Sequence, residues 1–288
     1  MKRHIVTLTG IATALFTTLS FSRNAAAQDN WKDHAISPVA NPLFFESPLI
    51  QSEVKPLYVY HRIDNSFIGG FARVFAVELR YAVSDRLAII ATKDGFIQLR
   101  SGVAALRADG WADIGAGFKY ALIDDQENNF ILTPGLKFEL PSGNKRVFQG
   151  NGQGEFNPFV SAMKGWKDFH LTGTFGGRIP VNFDQETASI HYSLQFDYYF
   201  CQWFIPFGVV NGFTVLSEAK GPAFGVEGFD LINFGTSNAG GFTQVALGGG
   251  FRSRLCKAAD IGFAYERGVT GPRGLFDERF TTDLTVRF

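Results

Sequence analysis

The sequence predicts an all-β fold, an antiparallel up-and-down β-barrel of about twelve strands, and three observations carry that expectation. The first is the terminal stretch Phe280-Thr281-Thr282-Asp283-Leu284-Thr285-Val286-Arg287-Phe288. Read at every second position, Phe280, Thr282, Leu284, Val286 and Phe288 form a mostly apolar face, and Thr281, Asp283, Thr285 and Arg287 a polar one. The second is that this period of two recurs along most of the chain. The third is that the connections between the segments alternate short and long, as they do in barrels that cross an outer membrane.

At the start, Lys2 and Arg3 precede an apolar run from Ile5 to Phe21, and Ala25-Ala26-Ala27 follow. These are the three parts of a secretory signal peptide, 1–27, with cleavage expected after Ala27. Removing it takes away Lys2, Arg3 and Arg23 and leaves 24 basic against 27 acidic residues. That balance shows no basic patch and speaks against a nucleic-acid partner. After the signal no apolar run is long enough for a spanning helix. The 31 Phe and 32 Gly against only 2 Met suit strands and tight turns.

Residues 28–54 show no regular period. Pro38, Pro42 and Pro48 and the cluster Leu43-Phe44-Phe45 make an irregular leader, periplasmic or tucked into the barrel as a partial plug. The barrel is expected over 55–288. Its strands are placed at 55–62, 70–82, 86–93, 111–122, 129–140, 156–166, 168–180, 188–200, 203–216, 242–252, 259–267 and 279–288. Most approach the nine to eleven residues that a tilted strand needs to cross a bilayer. Short turns (Val83–Asp85, Ile123–Asn128, Lys167, Cys201–Gln202, Ser253–Ala258) alternate with long loops (Asp94–Gly110, Pro141–Glu155, Ser217–Gly241, Gly268–Glu278). An even strand count puts both termini in the periplasm. Tyr81, Tyr120, Trp166, Tyr198 and Trp203 gather at the short-turn ends, where an interfacial aromatic girdle belongs.

The block Gly110-Trp111-Ala112-Asp113-Ile114-Gly115 through Phe118-Lys119-Tyr120, then Leu140-Pro141-Ser142-Gly143-Asn144 and Gly150-Asn151-Gly152, carries a family resemblance. It resembles the outer-membrane proteins grouped as the MetA-pathway of phenol degradation family, mainly over 110–180. The resemblance implies an outer-membrane channel for hydrophobic or aromatic compounds, and it transfers no catalytic residue.

No phosphate loop, nucleophile elbow or zinc spacing is present, so catalytic residues, cofactors and metals are all expected to be none. Gly150-x-Gly152-x-Gly154 follows a loop and reads as a turn. His191-x-Ser193 has the spacing of the dyad in outer-membrane phospholipases. Parity puts both inside, however, and Leu194-Gln195 replaces the Asn-Gly expected after the serine.

The inward face carries Glu78, Arg80, Asp113, Lys119, Lys137, Glu139, Arg178, His191, Gln195, Asp197, Arg252, Glu266, Asp283 and Arg287 as lumen-lining candidates. Mixed signs on adjacent strands suggest cross-strand bracing, with pore lining as the alternative. In the loop Ser217–Gly241, Phe224, Phe229, Leu231 and Phe234 are candidate ligand contacts, unless the loop folds over the mouth and buries them. Phe280, Leu284, Val286 and Phe288 resemble the terminal signal read by the β-barrel assembly machinery. Cys201 and Cys256 fall in neighbouring periplasmic turns and form a candidate disulfide. Together these features predict an outer-membrane channel for passive uptake of small, hydrophobic or aromatic molecules. The alternative is a sealed structural or enzymatic barrel. The expected partners are the outer-membrane lipid bilayer, the assembly machinery and a small-molecule solute.

Overall fold

The computed structural model describes residues 31–288, so the expected signal peptide, 1–27, and the first leader residues, 28–30, lie outside the described region. One antiparallel sheet closes on itself. Its strands are β1 (Glu53–Arg62), β2 (Gly70–Ala82), β3 (Leu87–Lys93 continuing as Phe96–Ser101) and β4 (Ala108–Trp111 continuing as Ile114–Tyr120). There follow β5 (Phe130–Leu140), β6 (Glu155–Trp166), β7 (Phe169–Pro180), β8 (Ala188–Tyr198), β9 (Ile205–Ser217), β10 (Thr243–Cys256), β11 (Ala259–Gly268) and β12 (Glu278–Arg287). This is the expected twelve-stranded barrel. A short strand, Ile123–Asp125, adds to β5 at one rim.

Closure is made by β1, which pairs with β2 and, on its other side, with β12 from Glu53↔Arg287 to Arg62↔Glu278. That seam skips Lys55 and Pro56. Pro56 has no N–H to give, so the ladder is weakened at this point.

Two segments differ from expectation. The expected loop Asp94–Gly110 is mostly strand, because β3 resumes at Phe96 and β4 already begins at Ala108. Gly95, at φ 110°, lets the chain step past one residue and resume pairing, Phe96 with Trp111. Beyond that step the inward face is apolar (Ile97, Leu99) and the outward face carries Gln98 and Arg100. The alternation there is inverted relative to the lipid-facing part, which hides the strand from a reader seeking apolar outward faces. The turn expected at Ser253–Ala258 is only two residues long, since β10 runs on to Cys256.

The outward face explains why this sheet belongs in a bilayer. Phe75 and Leu79 on β2, Ile89 on β3, Phe118 on β4, Phe175 on β7, Leu194 and Phe196 on β8 and Leu247 on β10 are all exposed. A continuous apolar belt on a closed barrel is unfavourable in water and favourable in hydrocarbon. Inside, the filling is layered. Leu57, Val59, Val74, Ile97 and Leu99 pack with Leu231, Ile232 and Leu275 toward the long-loop end. Ile36, Val39, Ala40 and Phe45 from the leader pack on Ile205, Phe207 and Val209. Trp31, Ala35 and Leu49 pack on Ile131 and Met163 toward the short-turn end.

Candidate functional site

The lumen is occupied by the leader. Residues 35–49 are buried almost throughout, and this stretch is held by polar contacts to inward-facing strand residues. Glu46 is the centre of the hold. Arg80 donates to both of its oxygens, Nε to Oε1 at 2.8 Å and Nη2 to Oε2 at 2.7 Å, and Lys119 donates to Oε1 at 2.7 Å. Lys119 also donates to the carbonyl of Ser47, Lys137 to that of Leu43, and Lys55 to that of Pro38. A segment with three prolines cannot form a strand of the sheet, so its carbonyls take lysine donors instead.

Most of the inward-facing candidates brace the interior. Arg80 also pairs with Glu78 and Glu53. Arg252 grips Asp283 with two arms at 2.8 and 2.9 Å. Arg178 pairs with Glu155, Glu139 with Lys93, and Asp197 with His170. Glu266 accepts from Asn211, and Gln195 donates to Asp197. Arg287 lies half-buried at the short-turn rim on Asp260. Asp113 turns to the long-loop end, where it accepts the N–H groups of Gly143 and Gly150, both at 2.8 Å. His191 stacks on Phe44 at 4.4 Å, while Ser193 accepts from Asn41 Nδ2. The two are not bonded to each other, so no phospholipase-like dyad is assembled.

Sequence reading missed Glu46, Glu53, Lys55, Asp230 and Arg279. Arg279 shares the parity of Thr281 and Asp283 and could have been found that way. Glu46 lies outside any strand and offers no such signal.

The long loop enters the mouth. Asp230 takes both arms of Arg279, at 2.6 and 2.5 Å, and Glu227 accepts the N–H groups of Phe234 and Thr236. Phe229 and Leu231 are buried, so for these two candidates the second alternative holds: the loop folds inward and uses them as core. Phe234 packs among Phe67, Phe148 and Phe224, and of the four only Phe224 is largely exposed. In the adjoining loop, burial and the neighbouring Glu155 push the Glu186 carboxyl up to about 8. The expected disulfide is corrected. Cys201 and Cys256 are free and exposed, and the turn at Gln202 meets the end of β10 through Arg254 N–H and the Gln202 carbonyl.

One part of the wall is incomplete. The β2–β3 ladder stops at Leu79↔Ala91 and resumes at Phe75↔Phe96. Between them Val77 N–H donates to the Asp94 carboxylate at 3.0 Å in place of a strand carbonyl. Behind this gap lies an apolar pocket of ≈ 30 Å³ lined by Leu43, Leu57, Val59, Ala76, Asp94 and Ile97 among others. Ala76 faces inward yet stays partly exposed. The apolar cluster of Leu57, Val59, Val74, Ile97 and Leu99 thus sits in the long-loop half beside the buried pairs Arg178–Glu155 and Arg279–Asp230, the leader plugs the half below it, and the wall is interrupted where they meet. Among the described residues no cluster of His, Cys, Asp or Glu could hold a metal ion.

This architecture defines the class: a β-barrel of the outer-membrane type. Solved structures agree on the fold. The COG4313 outer membrane channel from Pseudomonas putida F1 is 11% identical, over 88% of this chain and 100% of that one, with a TM-score of 0.63. The NanC porin is 10% identical over 82% and 98%, with a TM-score of 0.51. The β domain of the Bordetella autotransporter BrkA is 12% identical over 83% and 100%, with a TM-score of 0.50. At these identities the likeness concerns the fold alone. No family model and no curated protein matches the chain.

Proposed function

We propose that this chain is an outer-membrane channel that lets small, hydrophobic or aromatic molecules enter by passive diffusion, and that they leave sideways through the β2–β3 gap. The observation that carries the reading is the apolar pocket behind that gap, set above a charged plug. An apolar solute gains by entering the apolar pocket and loses by continuing along the axis, where it would have to break the buried ion pairs among Arg80, Glu46 and Lys119. The adjoining lipid is the cheaper exit. The pocket has room for about one water molecule, so passage requires Leu43 or Leu231 to shift.

The kinship of fold with a solved outer membrane channel and a porin supports a channel role and an outer-membrane location. The block at 110–180 that resembles the phenol-degradation family supports aromatic solutes. The test is uptake of N-phenylnaphthylamine, a fluorescent hydrophobe excluded by intact outer membranes, with nitrocefin hydrolysis as the leak control. Cells producing the protein should take up the dye several-fold faster at unchanged nitrocefin entry. Equal dye uptake with and without the protein contradicts the reading and leaves a sealed barrel.

A further inference from the structure

We infer that the outer wall over β10, β11, β12 and β1, with Arg73 on β2 beside it, is a docking site for lipid A, the phosphorylated and multiply acylated disaccharide of the outer leaflet. The inference rests on the outer-membrane orientation adopted above, with the long loops outside.

Two independent features meet there. The first is an apolar groove of ≈ 380 Å³ on the lipid-facing wall, lined by Tyr58, Gly249, Phe263, Tyr265, Phe280 and Thr282 among others. Gly249 and Thr282 are small outward positions, so the rings around them stand as walls of a trough wide enough for an acyl chain. The second is charge. Arg62 on β1, Arg73 on β2, Arg100 on β3 and Arg267 on β11 are at least partly exposed on the outer face, Arg73 in register with the groove's Phe280 and the others nearer the long loops. Glu278 serves Arg62 and Arg267, and Asp109 serves Arg100. Arg73 has no ion pair among the described residues, and its guanidinium lies over the Phe71 ring at 5.0 Å.

The register joins the two features. Tyr60 lies opposite both Arg73 and Phe280, two residues along β1 from Tyr58 at the groove. A rise of about 3.3 Å per residue and a strand spacing of about 4.8 Å put Arg73 roughly 10 Å from the groove mouth. A headgroup phosphate on Arg73 and an acyl chain of the same molecule in the groove are therefore compatible. A planar guanidinium suits a phosphate, and a partly desolvated one at the lipid boundary binds it more strongly than in water.

The test is native mass spectrometry of the purified, folded barrel in detergent, with bisphosphoryl lipid A, dephosphorylated lipid A or phosphatidylglycerol added. Wild type should retain bisphosphoryl lipid A about tenfold better than either of the others. Arg73→Ala should remove that preference and Arg73→Lys keep part of it, while Thr282→Trp, which fills the groove, should lower retention of every acylated ligand. Heat-modifiable migration on gels shows that each variant is folded. Unchanged retention by Arg73→Ala, or equal retention of phosphatidylglycerol by wild type, overturns the inference. Because lipid is added to isolated protein, this result is independent of whether any solute is transported.

Discussion

Arg80 on β2 holds Glu46 of the leader with two parallel hydrogen bonds of 2.8 and 2.7 Å, and both side chains are buried. This is the strongest single tie between plug and wall, because bidentate charge-assisted bonds combine geometry with electrostatics.

Glu46→Gln should loosen the leader. Removing one partner of a buried ion pair costs about 3–5 kcal/mol, chiefly by leaving cations uncompensated. Here Glu53 and Glu78 still serve Arg80, but Lys119 loses the one carboxylate it pairs with among the described residues. Hydrogen exchange should speed up across residues 35–49, with the strands still protected. Unchanged protection of the leader would show that its apolar contacts suffice.

Asp230→Ala should release the long loop from the mouth. Arg279 would then be buried without its counter-ion, at a cost of about 3–5 kcal/mol. Limited proteolysis should cut within 218–240 in the variant and spare the wild type. Resistance equal to wild type would assign the fold-in to Phe229 and Leu231 instead.

Glu186 sets a pH dependence of the opposite sign to most carboxylates. Its folded value, about 8, lies above the ordinary 4.5 because burial and Glu155 disfavour the charge. The folded chain therefore holds a proton that the unfolded chain releases, and stability falls as pH rises from about 4.5 to about 8. In Glu186→Gln the heat-unfolding midpoint should fall less between pH 5 and pH 8.5 than in wild type. Identical pH slopes would mean that Glu186 is charged throughout.

Phe288 is exposed at the closing seam, and its N–H donates to the Ser52 carbonyl at 3.1 Å. Deleting it should reduce the amount of heat-modifiable protein reaching the outer membrane, because assembly is expected to read this terminus. Normal assembly would leave Phe288 a mere interfacial anchor.

The barrel was legible because its rule is local: a period of two, and turns that alternate in length. Both interrupted strands show where that rule ends. Past Gly95 the apolar residues face inward, and Phe96-Ile97-Gln98-Leu99 looked like loop for that reason. The plug was not legible in detail. Glu46 belongs to a stretch without period, and its partners Arg80 and Lys119 lie 34 and 73 residues away. Parity marked both of those partners as inward, but nothing local says which carboxylate they hold. The β2–β3 gap was equally hidden, since Asp94 shows its role only beside Val77.

The gap is the centre of the functional account, and one substitution addresses it. Ala76 lines the pocket behind Asp94, and Ala76→Leu should fill the ≈ 30 Å³ that a solute would enlarge. The measurement is N-phenylnaphthylamine uptake by cells producing equal amounts of folded wild-type or variant barrel. Lateral exit predicts that Ala76→Leu returns uptake to the rate of cells lacking the protein. Uptake as fast as wild type through the filled pocket would contradict it.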